Sequence, residues 1–119
     1  MALKPLPACF FLRVDESLFF GNLSAIEQRI SQELAQDLTL HDVVLIMSAV
    51  NRVDTTAMEV LTDINRDLAT KNIRFHLAEV KGPVQDRLVR SPLWSALSGK
   101  VYLSVNEAFE MMQATRSAT

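Results

Sequence analysis

A chain of 119 residues, 49% hydrophobic and 22% charged, has the size and balance of one folded domain that builds its core without metal or disulfide support. A formal net charge of −2, with 12 Lys and Arg spread along the sequence, offers no electrostatic footprint for nucleic acid. The longest unbroken apolar stretches, 8–12 and 43–47, fall far short of the about 20 residues that span a bilayer.

Cys9 is the lone cysteine and cannot close an internal bridge, which fits a reducing, cytoplasmic setting. Residues 1–7 read as a loosely ordered leader without the apolar region of a secretory signal. A single domain is expected over 8–116, and 117–119 form a tail. Residues 9–14 are apolar and aromatic, Asp15-Glu16-Ser17 reads as a turn, and 18–20 are apolar again, which predicts a hairpin of two short strands. Leu23, Ile26, Ile30 and Leu34 then mark one face of a helix over 23–36, with Asn22 placed to cap it.

Val43-Val44-Leu45-Ile46-Met47 is continuously apolar, as a central strand covered on both faces requires. Ala57, Leu61, Ile64 and Leu68 mark a second helix. Ile73, Phe75 and Leu77 alternate with Arg74, His76 and Ala78, the period of a strand with one wetter face. Gly82-Pro83 opens a short helix carrying Val84 and Leu88, residues 101–103 make a last strand, and Ser104 with Glu107 forms an S-x-x-E capping box before Ala108, Phe109 and Met112. The order β-β-α-β-α-β-α-β-α predicts an α/β fold: a mixed β-sheet with interspersed helices, its later strands parallel.

Catalytic and metal signatures are missing. His41 and His76 are the only histidines, no Gly-x-Ser-x-Gly elbow occurs, and Cys9, His41 and His76 lack the spacing of zinc ligands. The glycine-rich phosphate cradles G-x-x-x-x-G-K-[ST] and G-x-G-x-x-G are also absent.

The informative stretch runs from the central strand through Ser48-Ala49-Val50-Asn51-Arg52-Val53 into Asp54-Thr55-Thr56-Ala57. With Asp54 as N-cap, Thr55 and Thr56 fall in the first turn, where free N–H groups and the helix dipole favour negative charge. A phosphate on either threonine suits that end, opposed by the carboxylates of Asp54 and Glu59. The plainer reading is a capped helix start, the cap being worth about 1 kcal/mol. A second strand-to-helix passage collects Lys81, Arg87 and Arg90 beside Gly82. These residues read either as a receiver of an acidic partner or phosphate, or as a solvated face paired with Glu79 and Asp86. Trp94 reads equally as a contact anchor or as a lid on the core.

The run strand, Asn51-Arg52-Val53-Asp54-Thr55-Thr56-Ala57-Met58, helix, strand, His76-Leu77-Ala78-Glu79-Val80-Lys81-Gly82-Pro83, helix resembles the STAS domain, the module shared by sulphate transporters and anti-sigma factor antagonists. The resemblance covers about residues 8–112. It is closer to the transporter branch, the cytoplasmic C-terminal domain of SulP-type anion permeases, on Ser48-Ala49-Val50-Asn51 and the segment from His76 to Pro83. It implies a STAS fold, and the missing catalytic and metal-ligand patterns add the expectation of no enzymatic activity, no cofactor and no metal. Implied partners are a transmembrane transporter domain upstream in the same polypeptide and a cytoplasmic protein, and the implied location is the cytoplasmic face of the membrane. In antagonists the hydroxyl after the capping Asp is phosphorylated by a partner kinase; that hydroxyl falls on Thr55, and Ala57 stands where antagonists have Gly. The family's suggested nucleotide binding, with Lys81, Arg87 and Arg90, makes a nucleotide a third ligand class.

Overall fold

Five strands lie in the sheet order β1-β2-β3-β4-β5: β1 (Ala2–Leu3), β2 (Cys9–Arg13), β3 (Asp42–Ile46), β4 (Arg74–Ala78) and β5 (Val101–Tyr102). The computed structural model describes residues 2–3, 6–15, 17 and 20–117. β1 is antiparallel to β2, and the other three pairings are parallel, so the sheet is mixed as the element pattern predicts. The helices are α1 (Phe20–Gln36), α2 (Thr55–Thr70), α3 (Gly82–Val89), α4 (Pro92–Ala96) and α5 (Val105–Ser117).

All five residues of β3 are buried, the consequence of a hydrophobic strand covered on both sides. Alternation then sorts the sheet's side chains. Phe10, Leu12, Val43, Leu45, Phe75 and Leu77 join a large core with Leu23, Ile26 and Ile30 of α1, Leu61, Ile64 and Leu68 of α2, Leu88 of α3 and Leu93 of α4. Cys9, Phe11, Val44, Ile46, Ala78 and Tyr102 face the other way, into a smaller core closed by Ala108 and Met112 of α5.

Four local expectations are corrected. The antiparallel partner of β2 precedes it: Ala2–Leu3, read as loose leader, pairs with Leu12 and Phe11, whereas Phe20 opens α1 instead of ending a strand, and Leu18 and Phe19 lie outside the described residues. Asn22 sits inside α1, and its Nδ2 donates to the Ser17 carbonyl at 2.6 Å. The face of β4 expected to be wetter is dry beyond Arg74, because α5 closes the core around Ala78 on that side, while the 98–100 turn and Tyr102 lie against His76 and leave it 1% exposed. The observed order is β-β-α-β-α-β-α-α-β-α, since Ser91-Pro92 starts α4, a helix of 5 residues too short to show periodicity.

Candidate functional site

The two ends of the parallel strands carry different polar chemistry. At the amino end, Asp42 opens β3 directly opposite Arg74, which opens β4. Asp42 is buried, and its Oδ1 accepts from Arg74 Nε at 2.9 Å and from His76 Nε2 at 2.8 Å. The His76 roles are set by its other nitrogen, since Nδ1 accepts the backbone N–H of Lys100 at 3.0 Å. A Cβ on Gly99 would stand 2.4 Å from Nδ1 and 2.5 Å from the Phe75 carbonyl oxygen, so the 98–100 turn packs onto the imidazole only because residue 99 is glycine. Burial pushes the Asp42 carboxyl up, and the hydrogen bonds from His76 and Arg74 with the charge of Arg74 more than offset it, holding it below the ordinary 3.8. Burial raises the neighbouring Tyr102 phenol above 10.0. Among the described residues no buried side-chain polar atom lacks a partner, which marks this end as finished structure.

At the carboxyl end the loops after β2, β3 and β4 surround a cleft of about 540 Å³ lined by Ser17, Asn51, Arg52, Asp54, Thr55 and Arg87, among others. This is where open parallel sheets present their loops. Asp54 is the N-cap of α2, with Oδ1 accepting from the Ala57 N–H at 2.7 Å. Thr55 is the exposed first residue of that helix, and Arg87 Nη2 donates to its Oγ1 at 2.9 Å. Lys81 Nζ donates to Asn51 Oδ1 at 2.6 Å. Two cations of the α3 segment therefore tie it to the β3–α2 passage. Glu79, between β4 and α3, holds a left-handed φ of 58°, and its Oε2 accepts from Val105 N at 3.0 Å, which aims the chain from the sheet into α3 while fixing the start of α5.

Asp54, Thr55, Lys81 and Arg87, singled out in two separate stretches, thus form one surface. Gly82 is exposed at the start of α3, and a Cβ there would meet nothing within 4 Å, so geometry does not demand glycine. Thr56 is exposed but outside the cleft lining. Arg90 lies in a neighbouring groove between α2 and the α3–α4 corner, which shares Thr55 and Arg87 with the cleft. Trp94 is 38% exposed at α4. Sequence reasoning placed Asn51 and Arg52 in the informative stretch but not among the site residues, since their place before the capping Asp does not say that the loop turns them into the cleft. The capping box is confirmed in altered form: Ser104 Oγ accepts from Glu107 N at 3.0 Å, while Glu107 Oε1 accepts from Leu103 N at 3.1 Å.

The profile of the STAS domain matches residues 1–108. The chain belongs to the STAS family. Sulfate transporter 3.1 of Arabidopsis thaliana is 26% identical over 118 residues, covering 90% of this chain and 18% of that protein. The chain therefore spans under a fifth of the length of the curated relatives it matches. Among solved structures, the murine Slc26a9 anion transporter in its inward-facing state superposes with a TM-score of 0.79 at 18% identity, over 93% of this chain and 18% of that one. The anti-sigma factor antagonist SpoIIAA in its unphosphorylated form gives 0.71 at 12% identity, over 95% and 96% of the two chains. At these identities the structural likenesses speak for the fold, which is the STAS fold that the sequence resemblance implies. No helix among the described residues is long and apolar enough to cross a membrane.

Proposed function

We propose that this STAS domain is the non-enzymatic cytoplasmic regulatory and protein-interaction domain of a SulP-type transporter of sulphate or another anion. It works through the surface around Asp54 and Thr55, which meets the transporter or a cytoplasmic partner. The observation that carries this reading is the pairing of a transporter match over nearly the whole chain with an open cleft beside which, among the described residues, Arg87 and Lys81 donate to neutral side chains, Thr55 and Asn51. Surface groups held this lightly are available to a partner at small cost. Fractionation of source cells, with an antibody to this segment, tests it: the expected result is an integral membrane protein of much larger mass, and a soluble polypeptide of this size overturns the reading.

One observation favours a second reading, an antagonist-like module switched by phosphorylation at Thr55. The Thr55 hydroxyl is exposed at a helix N-terminus with the Arg87 guanidinium already on its oxygen, an arrangement that accepts a phosphate dianion. Incubation with candidate kinases should label Thr55, and equal labelling of Thr55→Ala excludes the site. A nucleotide ranks third, resting on the resemblance and on Lys81, Arg87 and Arg90; saturable amide shifts around the cleft on titrating GTP or ATP would establish it, and their absence would end it.

A further inference from the structure

The direction of the first strand orients the molecule. β1 runs antiparallel to β2 with Ala2 opposite Leu12 and Leu3 opposite Phe11, so the chain enters the sheet at the carboxyl end of β2. That is the end occupied by the Thr55 cleft. In a transporter whose membrane domain precedes this one, the connecting polypeptide arrives at this pole, and the cleft lies on the side turned toward the bilayer.

The charges of the pole select what it meets there. Arg52 and Arg87 line the cleft, Lys81 stands beside it on Asn51, and among the described residues none of the three has a carboxylate within ion-pair distance. Asp54 is the one carboxylate in the lining, with one oxygen committed to the Ala57 N–H; Asp86 is not among the lining residues, and Arg13 pairs with Asp15 at 3.4 Å. The N-terminus of α2 adds its positive end. The lining thus holds two cations, Arg52 and Arg87, against one carboxylate, with Lys81 beside it on Asn51, on a chain of net charge −2. Cytoplasmic loops of membrane proteins are themselves rich in Lys and Arg and would repel it, whereas the cytoplasmic leaflet is anionic.

We propose that the carboxyl pole of the sheet is the membrane-facing end of the domain, and that Arg52, Lys81 and Arg87 rest against the phosphates of anionic lipid headgroups. The inference rests on the transporter reading for its orientation and names one partner of the Thr55 surface. Lipid contact would hold the cations that otherwise bond Thr55 and Asn51, so approach to the membrane and access to the Thr55 hydroxyl are linked.

The test is co-sedimentation of the 119-residue chain at low ionic strength with vesicles of phosphatidylcholine and phosphatidylglycerol in equal parts. Pure phosphatidylcholine vesicles and inorganic phosphate as competitor separate a charged surface from a free-phosphate site. Binding is expected only with the anionic lipid, and it should weaken as added salt shortens the screening length. Each of Arg52→Gln, Lys81→Gln and Arg87→Gln should lower partitioning about fivefold, the equivalent of about 1 kcal/mol per cation at such a surface. Lys71→Gln, at the opposite end of α2, should leave it unchanged. No binding to the anionic vesicles, equal binding to the neutral ones, full displacement by phosphate, or an equal loss in Lys71→Gln overturns the inference. Each of those results leaves the transporter reading standing, because cell fractionation decides that reading independently.

Discussion

The two poles of the sheet put charged side chains to opposite ends. At the amino pole an arginine, a histidine and an aspartate converge: Asp42 is 2% exposed and accepts from both partners. At the carboxyl pole an arginine and a lysine reach a hydroxyl and an amide in the open. A buried carboxylate without its donors would be very costly, so the first set is compelled by folding. The second set contributes little to folding, since exposed polar contacts exchange readily with water. Charge at one end builds the domain, and charge at the other stays in the open.

The contrast breaks first at Asp42. Asp42→Ala removes the acceptor shared by Arg74 and His76 and leaves the buried imidazole N–H without a partner, with an expected loss of about 3 kcal/mol in urea unfolding; a loss no larger than that of an Arg87 variant would erase the distinction between the poles. Leu61→Ala, in the main core under α2, should cost a similar 2–5 kcal/mol through the cavity it leaves, reported by the same unfolding curves. Gly99→Ala should cost about 1–3 kcal/mol, because the added carbon meets His76 and the fixed Phe75 carbonyl; the Lys100 amide resonance should shift with it.

Acid sharpens the same comparison. Asp42 has its folded pKa below 3.8, so its contribution is fully present above that value and is lost as pH falls through the lower folded one. Asp42→Asn should flatten that part of the acid-unfolding profile, measured by circular dichroism below about pH 4. The smallest effect is expected at the open pole: Thr55→Glu and Arg87→Ala should each move stability by no more than about 0.5 kcal/mol while altering binding. A large drop in melting temperature for either would show that the cleft, too, is structural.

Much of the architecture was legible because its signals are local. The continuous apolar run of β3, the Asp54 cap and the i, i+3, i+4 stripe of α2 depend on neighbours a few residues away, and Ser104 with Glu107 announces α5. What escaped depends on contacts across the chain. Asn22 offers a good capping side chain, but a helix beginning at Phe20 turns it toward Ser17. Ala2–Leu3 is a strand because β2 supplies an edge, and no two-residue pattern can say so. The wetter face of β4 was misread because the turn and helix that cover it lie beyond it in sequence. The Asp42–Arg74–His76 set is visible only once β3 and β4 are aligned residue by residue. In the same way, the cleft was present in the sequence as two unconnected stretches; the parallel crossover that sets Arg87 against Thr55 supplies the missing link.

The sheet ends on both sides in strands of 2 residues, β1 and β5. An edge that short offers too few free backbone N–H and C=O groups to template a further strand, a protection that folded proteins with open sheets need against ribbon-like association. Leu103, 83% exposed just past β5, lies beyond the paired residues and extends no ladder. Edges this short disfavour the joining of two copies of the domain sheet to sheet.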